Sequence, residues 1–274
     1  MSPLVWLITG STSGLGAALT NYIASRGDKV IATGRKVEER LGHLKAANVA
    51  LLELDITAEA TTIATQARKA WDIFGRIDVL INNAGVSSMR SAEEADDDYT
   101  KNMFEANLFG HMRVTRAFLP LLRSQGEGCI AFTSSSTAWA GLPFMSQYAA
   151  SKAALSMYAE CLHKEIAPLG LSLVSHYMAN PMSHMPGDLA KAAAFMVDVV
   201  TRNVKDTEVS TQEPTSRKWA VRVALGSDGA GFVRQKCTEM LRLLDDWQEA
   251  STGTDRDGEA SDAVREMLEF TTII

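Results

Sequence analysis

A chain of 274 residues fits one α/β domain or two smaller ones, and length alone does not choose between them. With 46% hydrophobic and 22% charged residues, its composition is that of a globular protein with a sizeable core. The net charge of −6 argues against nucleic acid or an anionic membrane surface as the main partner. There is no apolar run near the roughly 20 residues that span a bilayer and no pattern of a secretory signal. These features predict a cytoplasmic protein.

The cysteines give no sign of a metal or disulfide site. Cys129, Cys161 and Cys237 lie far apart, without a CxxC or a Cys/His spacing. This pattern is typical of reduced thiols in a cytosolic protein, not of a disulfide framework or a zinc site. We expect each cysteine to be a small buried residue without a redox role, and we expect no metal.

Short apolar runs alternate with longer segments of helical length along the chain. Nearly continuous apolar runs are typical of strands covered on both faces, and they predict strands at 5–9, 29–33, 49–54, 79–81, 129–133, 171–176 and 221–225. Helices are predicted between them, among others at 15–25, 59–74, 100–123 and 148–166. This alternation implies a parallel sheet with right-handed crossovers. We predict an α/β fold, a Rossmann-type doubly wound parallel sheet of about seven strands with helices on both faces and ligands at the carboxyl ends of the strands.

Two polar stretches interrupt the alternation without dividing the chain. Residues 205–218 contain Pro214 and are predicted to form a loop, and residues 251–258 are predicted to be a solvated linker. Beyond them Val264, Met267 and Leu268 lie at helical spacing, which fits either a packed tail or a frayed end. We therefore predict a single dinucleotide-binding and catalytic domain over residues 1–274, with 251–274 as a candidate accessory tail.

A glycine-rich turn follows the first predicted strand directly. Glycines there permit a tight turn and let backbone N–H groups approach a pyrophosphate at the positive end of a helix. Many strand-to-helix turns need glycine for backbone reasons alone, so the turn by itself decides nothing. Its place after the first strand of an alternating chain favours a dinucleotide site. The candidate cofactor residues are Gly10, Thr12, Ser13, Gly14, Leu15 and Gly16.

The end of the second predicted strand indicates which dinucleotide would bind. An acidic side chain there would bind the ribose 2′-hydroxyl and repel a 2′-phosphate. This chain has Gly34 followed by Arg35 instead, and a guanidinium is suited to binding phosphate. We therefore predict NADP(H), with NADPH as the working form, over NAD(H). The alternative is that Arg35 is an ordinary solvated side chain.

Tyr148 and Lys152 are the main candidates for chemistry. They are four residues apart in a predicted helix and therefore share one face. A free phenol, with a pKa of about 10, is a poor acid or base near neutrality. A nearby ammonium and the positive charge of oxidised nicotinamide both favour the phenolate. A serine hydroxyl from the run at 134–136 would hold the substrate oxygen.

The ordered set of motifs resembles the short-chain dehydrogenase/reductase family. The TGxxxGxG fingerprint is matched by residues 9–16 and the NNAG motif by residues 82–85, and the resemblance spans residues 4 to about 177 before it resumes weakly at 222–228. It implies that the serine thirteen positions before the tyrosine is catalytic, together with an asparagine in the preceding long helix. The implied catalytic set is Asn107, Ser135, Tyr148 and Lys152. The resemblance also implies cofactor contacts at Asp55, Ile56, Asn83, Ala84, Gly85, Tyr148 and Lys152.

The resemblance fails after the sixth predicted strand. Family members usually carry Pro-Gly, then a threonine that contacts the nicotinamide amide, then a substrate lid. Here Met178-Ala179 stands in place of Pro-Gly and Ser183 stands near the threonine. The segment from Gly187-Asp188 looks like the helix that follows the lid, so much of the lid is missing. Methionines at 178, 182 and 185 fit either an adaptable apolar pocket or ordinary packing, and the histidines at 176 and 184 are given no role.

The leading hypothesis is an NADPH-dependent carbonyl reductase, or the reverse alcohol dehydrogenase, acting on a bulky, partly apolar small molecule. The altered segment at 178–183 motivates a second hypothesis, in which the fold binds nucleotide but performs isomerisation or cyclisation. A third is a nucleotide-sensing scaffold. The start of the chain and the C-terminal stretch that begins at residue 222 look similar to fungal and bacterial reductases of broad substrate range, some of them from specialised metabolism.

The family resemblance also implies a homodimer or homotetramer. Its commonest interface is formed by the helices predicted here at 100–123 and 148–166. Small residues in the second of these helices either allow close approach of a second subunit or lie against the sheet of their own subunit. They are Ala149, Ala153, Ala154 and Ala159.

Overall fold

The computed structural model describes residues 2–178, 188–201 and 221–252. Seven strands form one sheet in the order β3-β2-β1-β4-β5-β6-β7, and every neighbouring pair is parallel. The strands are β1 (Val5–Ile8), β2 (Lys29–Gly34), β3 (Val49–Glu53), β4 (Val79–Asn82), β5 (Gly128–Ser135), β6 (Leu171–Met178) and β7 (Arg222–Leu225). The order reverses direction between β1 and β4, which makes a crevice for ligands at their carboxyl ends. The predicted fold is confirmed.

The helices connect the strands and cover both faces of the sheet. They are α1 (Gly14–Ser25), α2 (Val37–Leu41), α3 (Ala60–Phe74), α4 (Asp97–Phe104), α5 (Gly110–Gln125), α6 (Ser146–Ile166), α7 (Leu189–Val200) and α8 (Gly226–Thr252). The Asp188 carboxylate caps α7 by accepting hydrogen bonds from the backbone N–H groups of Ala190 (2.8 Å) and Lys191 (3.2 Å). The helix expected from Gly187-Asp188 onward is therefore present.

The helix predicted at 100–123 begins earlier, ends later and is not continuous. A π-helical turn, Glu105–Phe109, separates α4 from α5. One extra residue in such a turn shifts the faces of the helix before and after it, and these turns often occur at functional sites. Asn107 lies in the middle of the turn. A further short helix, α2, was not predicted.

Strand boundaries also differ from the prediction. β5 and β6 continue to Ser135 and Met178, because Ser134 pairs with Tyr177 and Ser135 with Met178 in the sheet register. Thr9 lies in the turn after β1, and the predicted linker at 251–258 begins too early, because α8 continues to Thr252. The expected loop at 205–218 and the tail at 259–274 lie outside the described residues, and so does the altered segment at 178–183 apart from Met178 at the end of β6.

Two apolar layers sandwich the sheet. On one face Leu7, Leu80 and Phe132 pack with α3, α5 and α6, and on the other Trp6 and Ile8 pack with α1 and α7. Adjacent residues of β1 therefore point to opposite faces, and both faces are covered, which explains the continuous apolar runs.

A buried carboxylate holds the amino edge of the sheet. Asp78 is 8% exposed, and its Oδ2 accepts a hydrogen bond of 2.8 Å from the backbone N–H of Val5 at the start of β1. Its other oxygen accepts from Arg76 Nε at 2.8 Å, and Arg76 also pairs with Glu127, 3.0 Å away. Because Glu127 precedes β5, this cluster ties the starts of β1, β4 and β5 together at the edge opposite the crevice.

The second half of α8 is exposed. Five of its large apolar side chains are between 44% and 64% exposed, namely Met240, Leu241, Leu243, Leu244 and Trp247. Over the residues that the structure describes, no helix is both long and apolar enough to cross a membrane.

Candidate functional site

The glycine-rich turn is folded tightly against the end of β4. Gly10 has a φ of +70°, and a Cβ there would lie 2.7 Å from the Cα of Ala84. A Cβ on Gly16 would lie 2.2 Å from the carbonyl oxygen of Gly10. Neither approach is compatible with a side chain, so both positions require glycine. The turn leads directly into the N-terminus of α1. The first N–H groups of a helix have no partner within the helix, so they can bind an anion.

Thr9 and Asn83 lock the turn to the NNAG segment. The Thr9 hydroxyl accepts hydrogen bonds from the backbone N–H groups of Asn83 (2.9 Å) and Ala84 (3.1 Å). The Asn83 amide donates to the carbonyls of Thr9 (3.0 Å) and Gly10 (3.3 Å), and its oxygen accepts from Thr133 at 3.3 Å. Three strand ends are thus joined in one rigid floor.

A cleft of about 390 Å³ runs across this floor. It brings together most of the residues proposed from the sequence as cofactor contacts: Gly10, Thr12, Ser13, Gly14, Leu15, Arg35, Asp55, Ile56, Asn83, Ala84, Gly85, Tyr148 and Lys152. Gly16 lies beneath the turn instead. The sequence missed other lining residues, including Arg40, Thr57, Val86, Ser87 and Ala106. Arg40 was missed because α2 was not predicted.

Arg35 and Arg40 form a cationic wall at one end of the cleft. Both side chains are exposed, and neither has an ion-pair partner among the described residues. The Glu53 carboxylate accepts hydrogen bonds from the backbone N–H groups of Lys36 (2.8 Å) and Val37 (3.0 Å), which fixes the start of α2 next to Arg35. The Glu53 carboxylate is thereby engaged, Glu38 and Glu39 of α2 pair with Lys45 and Lys36, and both guanidinium groups are available to an anion.

Lys152 lies at the other end of the cleft and is buried. It is 4% exposed, and its Nζ donates a hydrogen bond of 2.9 Å to the carbonyl of Thr133. Burial lowers the pKa of Lys152 to about 8. A Cβ on Gly85 would lie 3.5 Å from this Nζ and only 3.0 Å from the amide oxygen of Asn107, so a side chain there would crowd Asn107.

Tyr148 and Ser135 complete a cluster with Lys152. Tyr148 is 7% exposed and lies one helical turn before the lysine on α6, and Ser135 lies at the end of β5. Burial raises the pKa of the Tyr148 phenol, and its hydrogen bond with Ser135 opposes that shift. The Ser135 hydroxyl also accepts from the backbone N–H (3.2 Å) and hydroxyl (3.0 Å) of Thr137, which orient it. A hydroxyl, a phenol and an ammonium thus lie together, which suits proton transfer at an oxygen atom.

Asn107 supports this cluster from behind the cleft wall. Its side chain is fully buried, and it exchanges two hydrogen bonds of 2.9 Å with the backbone of Val86. Its Nδ2 also donates to the Ser151 hydroxyl of α6 at 3.1 Å. Asn107 therefore ties the segment after β4 to the helix that carries Tyr148 and Lys152, and its side chain does not line the cleft.

Two buried histidines lie near the cluster but carry no charge. Burial lowers the pKa values of His111 and His176 to about 3, with the charge of Lys152 adding to the effect on His111. His111 Nδ1 lies 3.4 Å from the amide oxygen of Asn82 below the NNAG segment. No sequence motif pointed to His111. No group of three or more His, Cys, Asp or Glu side chains in the described ranges could hold a metal ion.

The exposure of the cysteines contradicts one sequence-based prediction, and the exposure of the α6 alanines distinguishes between two alternatives. Cys129 is buried as predicted, but Cys161 and Cys237 are exposed, so the prediction of three buried thiols was wrong. Of the alanines on α6, Ala159 is fully buried against the sheet, whereas Ala153 is exposed. Helical periodicity alone did not show which side of α6 faces the sheet.

Comparison with known proteins assigns the family. The family model described as short chain dehydrogenase matches residues 4–189. The chain is 37% identical over 175 residues to oxidoreductase BOA17 of Botryotinia fuckeliana, covering 62% of each chain. It is 33% identical over 217 residues to 11-beta-hydroxysteroid dehydrogenase A of Sesamum indicum, covering 76% of this chain and 60% of the relative. The matches thus span about three fifths of these relatives' length.

Solved structures agree with this assignment. A short-chain dehydrogenase from Streptomyces avermitilis superimposes with a TM-score of 0.82 at 30% identity, covering 93% of this chain and 100% of that one. A short chain dehydrogenase from Burkholderia cenocepacia, solved in complex with NADP, gives a TM-score of 0.72 at 28% identity, covering 89% and 96%. Because the family model matches well over half of the chain and the sheet order agrees, this protein belongs to the short-chain dehydrogenase/reductase family of oxidoreductases.

Proposed function

We propose that this protein is an NADP(H)-dependent oxidoreductase that transfers hydride between nicotinamide and the carbonyl or alcohol carbon of a small molecule. The observation that carries the proposal is the cluster at one end of a cleft, where Tyr148 and Lys152 line the wall and Ser135 is hydrogen-bonded to Tyr148. The other end of the same cleft is a helix N-terminus beside two arginines, Arg35 and Arg40, that have no ion-pair partner among the described residues. One end suits a proton transfer and the other suits a phosphorylated cofactor.

The residues present fit a dinucleotide. Gly10 and Gly16 let the backbone close tightly at the N-terminus of α1, so a pyrophosphate would meet backbone N–H groups there. Arg35 and Arg40 would hold a ribose 2′-phosphate, since no described carboxylate pairs with them. We infer NADP over NAD on this ground, and the NADP-bound structure from Burkholderia cenocepacia supports it. The cofactor, when bound, supplies or accepts the hydride.

Tyr148 is assigned the proton transfer. In reduction the carbonyl carbon gains a hydride and the oxygen gains the phenol proton, which leaves a phenolate, and oxidation reverses both transfers. The Lys152 ammonium, held by the carbonyl of Thr133, stabilises that phenolate from within a buried site. The Ser135 hydroxyl donates a hydrogen bond to the reacting oxygen, where negative charge develops. Asn107 is a positioning residue, because it acts through Val86 and Ser151.

The substrate is proposed to be bulky and partly apolar. Val86, which lines the cleft, and Met89, three residues further along the same segment, are both 45% exposed. The relative from Sesamum indicum, whose name specifies a hydroxysteroid, supports an apolar alcohol or ketone of this kind. The cytoplasmic location and the homo-oligomeric state stay predictions from the sequence.

The test is turnover of purified protein with NADPH or NADH and a panel of ketones, followed by nicotinamide absorbance. We expect NADPH oxidation with bulky ketones and much slower oxidation of NADH. Binding of NADPH, measured by its fluorescence, without turnover of any ketone or alcohol would contradict the redox proposal. That result would favour the non-redox hypotheses, whose motivating segment at 178–183 lies almost wholly outside the described residues.

A further inference from the structure

Phe144 has a backbone conformation that bulky residues rarely adopt. Its φ is +65°, in the left-handed region where the Cβ of an L-residue crowds the following carbonyl. In the described parts of the chain, Lys36 is the only other non-glycine residue with a positive φ. Strain of this kind persists where the surrounding structure imposes it, and it clusters at functional sites.

The conformation of Phe144 is imposed by the loop that follows β4. The backbone N–H of Arg90 donates a hydrogen bond of 2.9 Å to the carbonyl of Phe144. The Arg90 guanidinium in turn lies over the ring of Tyr99, 4.3 Å from its centre. Within the turn itself, the N–H of Met145 donates to the carbonyl of Leu142 at 3.2 Å. The segments after β4 and after β5 are therefore joined at Phe144.

Packing of the Phe144 ring within the protein does not explain its presence. The side chain is 58% exposed, whereas the next residue, Met145, is 1% exposed and packs with Tyr148 and Met103. The turn thus sends one side chain into the core beside the phenol and presents the aromatic ring outward. Glycine would adopt this φ without strain, so the ring must be useful for something other than folding.

Phe144 is linked to the catalytic cluster through its neighbour and lies near another exposed apolar side chain. It precedes Met145, which packs with Tyr148, and its hydrogen-bonded partner Arg90 follows Met89, which is 45% exposed. Val86, also 45% exposed, begins the same loop and lines the cleft. Exposed apolar side chains around a polar cluster are typical of a ligand site. We call Val86, Met89 and Phe144 the apolar rim.

We propose that Phe144 is a specificity-determining residue whose ring packs against a ring-bearing, apolar part of the substrate, with Val86 and Met89 completing the apolar rim. This inference rests on the proposed function, since Tyr148 must act on the oxygen of the same molecule. The substrate class is then a ketone, or its alcohol, with an aromatic or alicyclic ring close to the carbonyl. A linear aliphatic ketone of the same carbon number would meet the same chemistry but lose the contact with the flat ring.

The test compares acetophenone with 2-octanone, which have equal carbon numbers, in the wild type, Phe144→Gly and Phe144→Trp. For Phe144→Gly we expect the ratio of kcat/KM for acetophenone to that for 2-octanone to fall about tenfold, mainly through KM. Because glycine relieves the strain, its Tm should rise by about 2–4 °C. Phe144→Trp should keep the ratio. Leu169→Ala, at an exposed apolar residue on the opposite edge of the sheet (40% exposed), is the control and should leave the ratio unchanged.

An unchanged ratio in Phe144→Gly would overturn the inference. If both ketones lose activity equally and the Tm also falls, the ring serves packing within the protein. If the wild type reduces no ketone at all, the proposed function has failed. The role of Phe144 is then tested by calorimetry, which measures the binding of acetophenone to the protein–NADPH complex. Loss of that binding in Phe144→Gly would support the apolar rim, and unchanged or absent binding would refute it.

Discussion

The two ends of the cleft use charge in opposite ways. At the phosphate end, Arg35 and Arg40 are exposed cations on a surface turn and a short helix. At the other end, Lys152 is 4% exposed and its pKa is lowered to about 8 by burial. Charges in water are screened by solvent and salt, whereas a charge in a buried site interacts strongly with its neighbours. Substitutions should therefore have large effects at the buried end and moderate, salt-dependent effects at the exposed end.

The largest effect is expected at Tyr148. Tyr148→Phe removes the hydroxyl that would transfer the proton but keeps the ring in its buried position, so kcat should fall about 10³-fold. The affinity for NADPH, measured by fluorescence titration, should stay within a few-fold of the wild type. A variant that keeps kcat within a few-fold of the wild type would remove Tyr148 from the mechanism.

Lys152 should leave a signature in stability against pH. Its folded pKa of about 8 lies below the ordinary value, so between about pH 8 and 10 the unfolded chain binds a proton that the folded protein has released. The cost of burying the charge is therefore complete below pH 8 and declines as the pH rises. From pH 7 to 9.5 this group should add about 2 kcal/mol of stability.

Urea denaturation of the cofactor-free protein at the two pH values measures this effect, with Lys152→Met as the comparison. The variant lacks the titrating group and should gain about 2 kcal/mol less than the wild type. Tyr148 does not confuse the measurement, because burial raises its pKa and moves its titration to higher pH. If both proteins gained the same free energy of unfolding between the two pH values, the Lys152 ammonium would not be destabilised by burial.

A moderate effect is expected at Arg35. Arg35→Ala should raise the KM for NADPH about tenfold and leave the KM for NADH nearly unchanged. The difference in the KM for NADPH between the variant and the wild type should shrink as salt is added. The neighbouring Lys36 is 75% exposed and pairs with Glu39, so Lys36→Ala is the matched control. An Asp at position 34 is a less clean test, because a Cβ there would lie 2.9 Å from a methyl group of Thr12. An unchanged ratio of the two KM values in Arg35→Ala would refute the assignment.

The smallest effect on catalysis is expected at the proposed subunit interface. Met157 on α6 is 55% exposed, close to the exposed Ala153 and on the outer side of the helix. Met157→Glu should lower the mass of the particle in solution, while kcat changes less than at any position above. Leu169→Glu serves as the control for adding a charge elsewhere. A wild type that is already monomeric at micromolar concentration would contradict the predicted oligomer.

The sequence predicted the fold well because its signal is repeated along the whole chain. Each strand is a nearly continuous apolar run, and most runs are followed by a segment of helical length, so small errors at the boundaries did not alter the topology. Most of the cofactor candidates that the motifs predicted line one cleft, because strand ends meet at one edge of a parallel sheet. The roles of these residues still depend on the experiments above.

What the sequence did not reveal depends on packing between distant segments. The π-helical turn at Asn107 has no compositional signal, since one extra residue in a helix leaves the residue types unchanged. The exposure of Cys161 depends on which side of α6 meets the sheet. The left-handed backbone of Phe144 depends on a hydrogen bond from Arg90, far away in the sequence, and single residues carry no sign of such a bond.

Mutations in the Asp78 cluster, at the amino edge of the sheet, should lower the amount of folded protein, whereas mutations at the cleft should lower its turnover. Asp78 holds the starts of three strands and lies at the edge opposite the crevice. Removing its carboxylate would leave the Val5 N–H without its partner, which reduces the population of folded molecules without touching the chemistry. In a cell, such a variant would show low abundance and a normal turnover per folded molecule. Genetic screens that score total activity would therefore flag Asp78 alongside Tyr148, and only a measurement of protein level would tell the two apart.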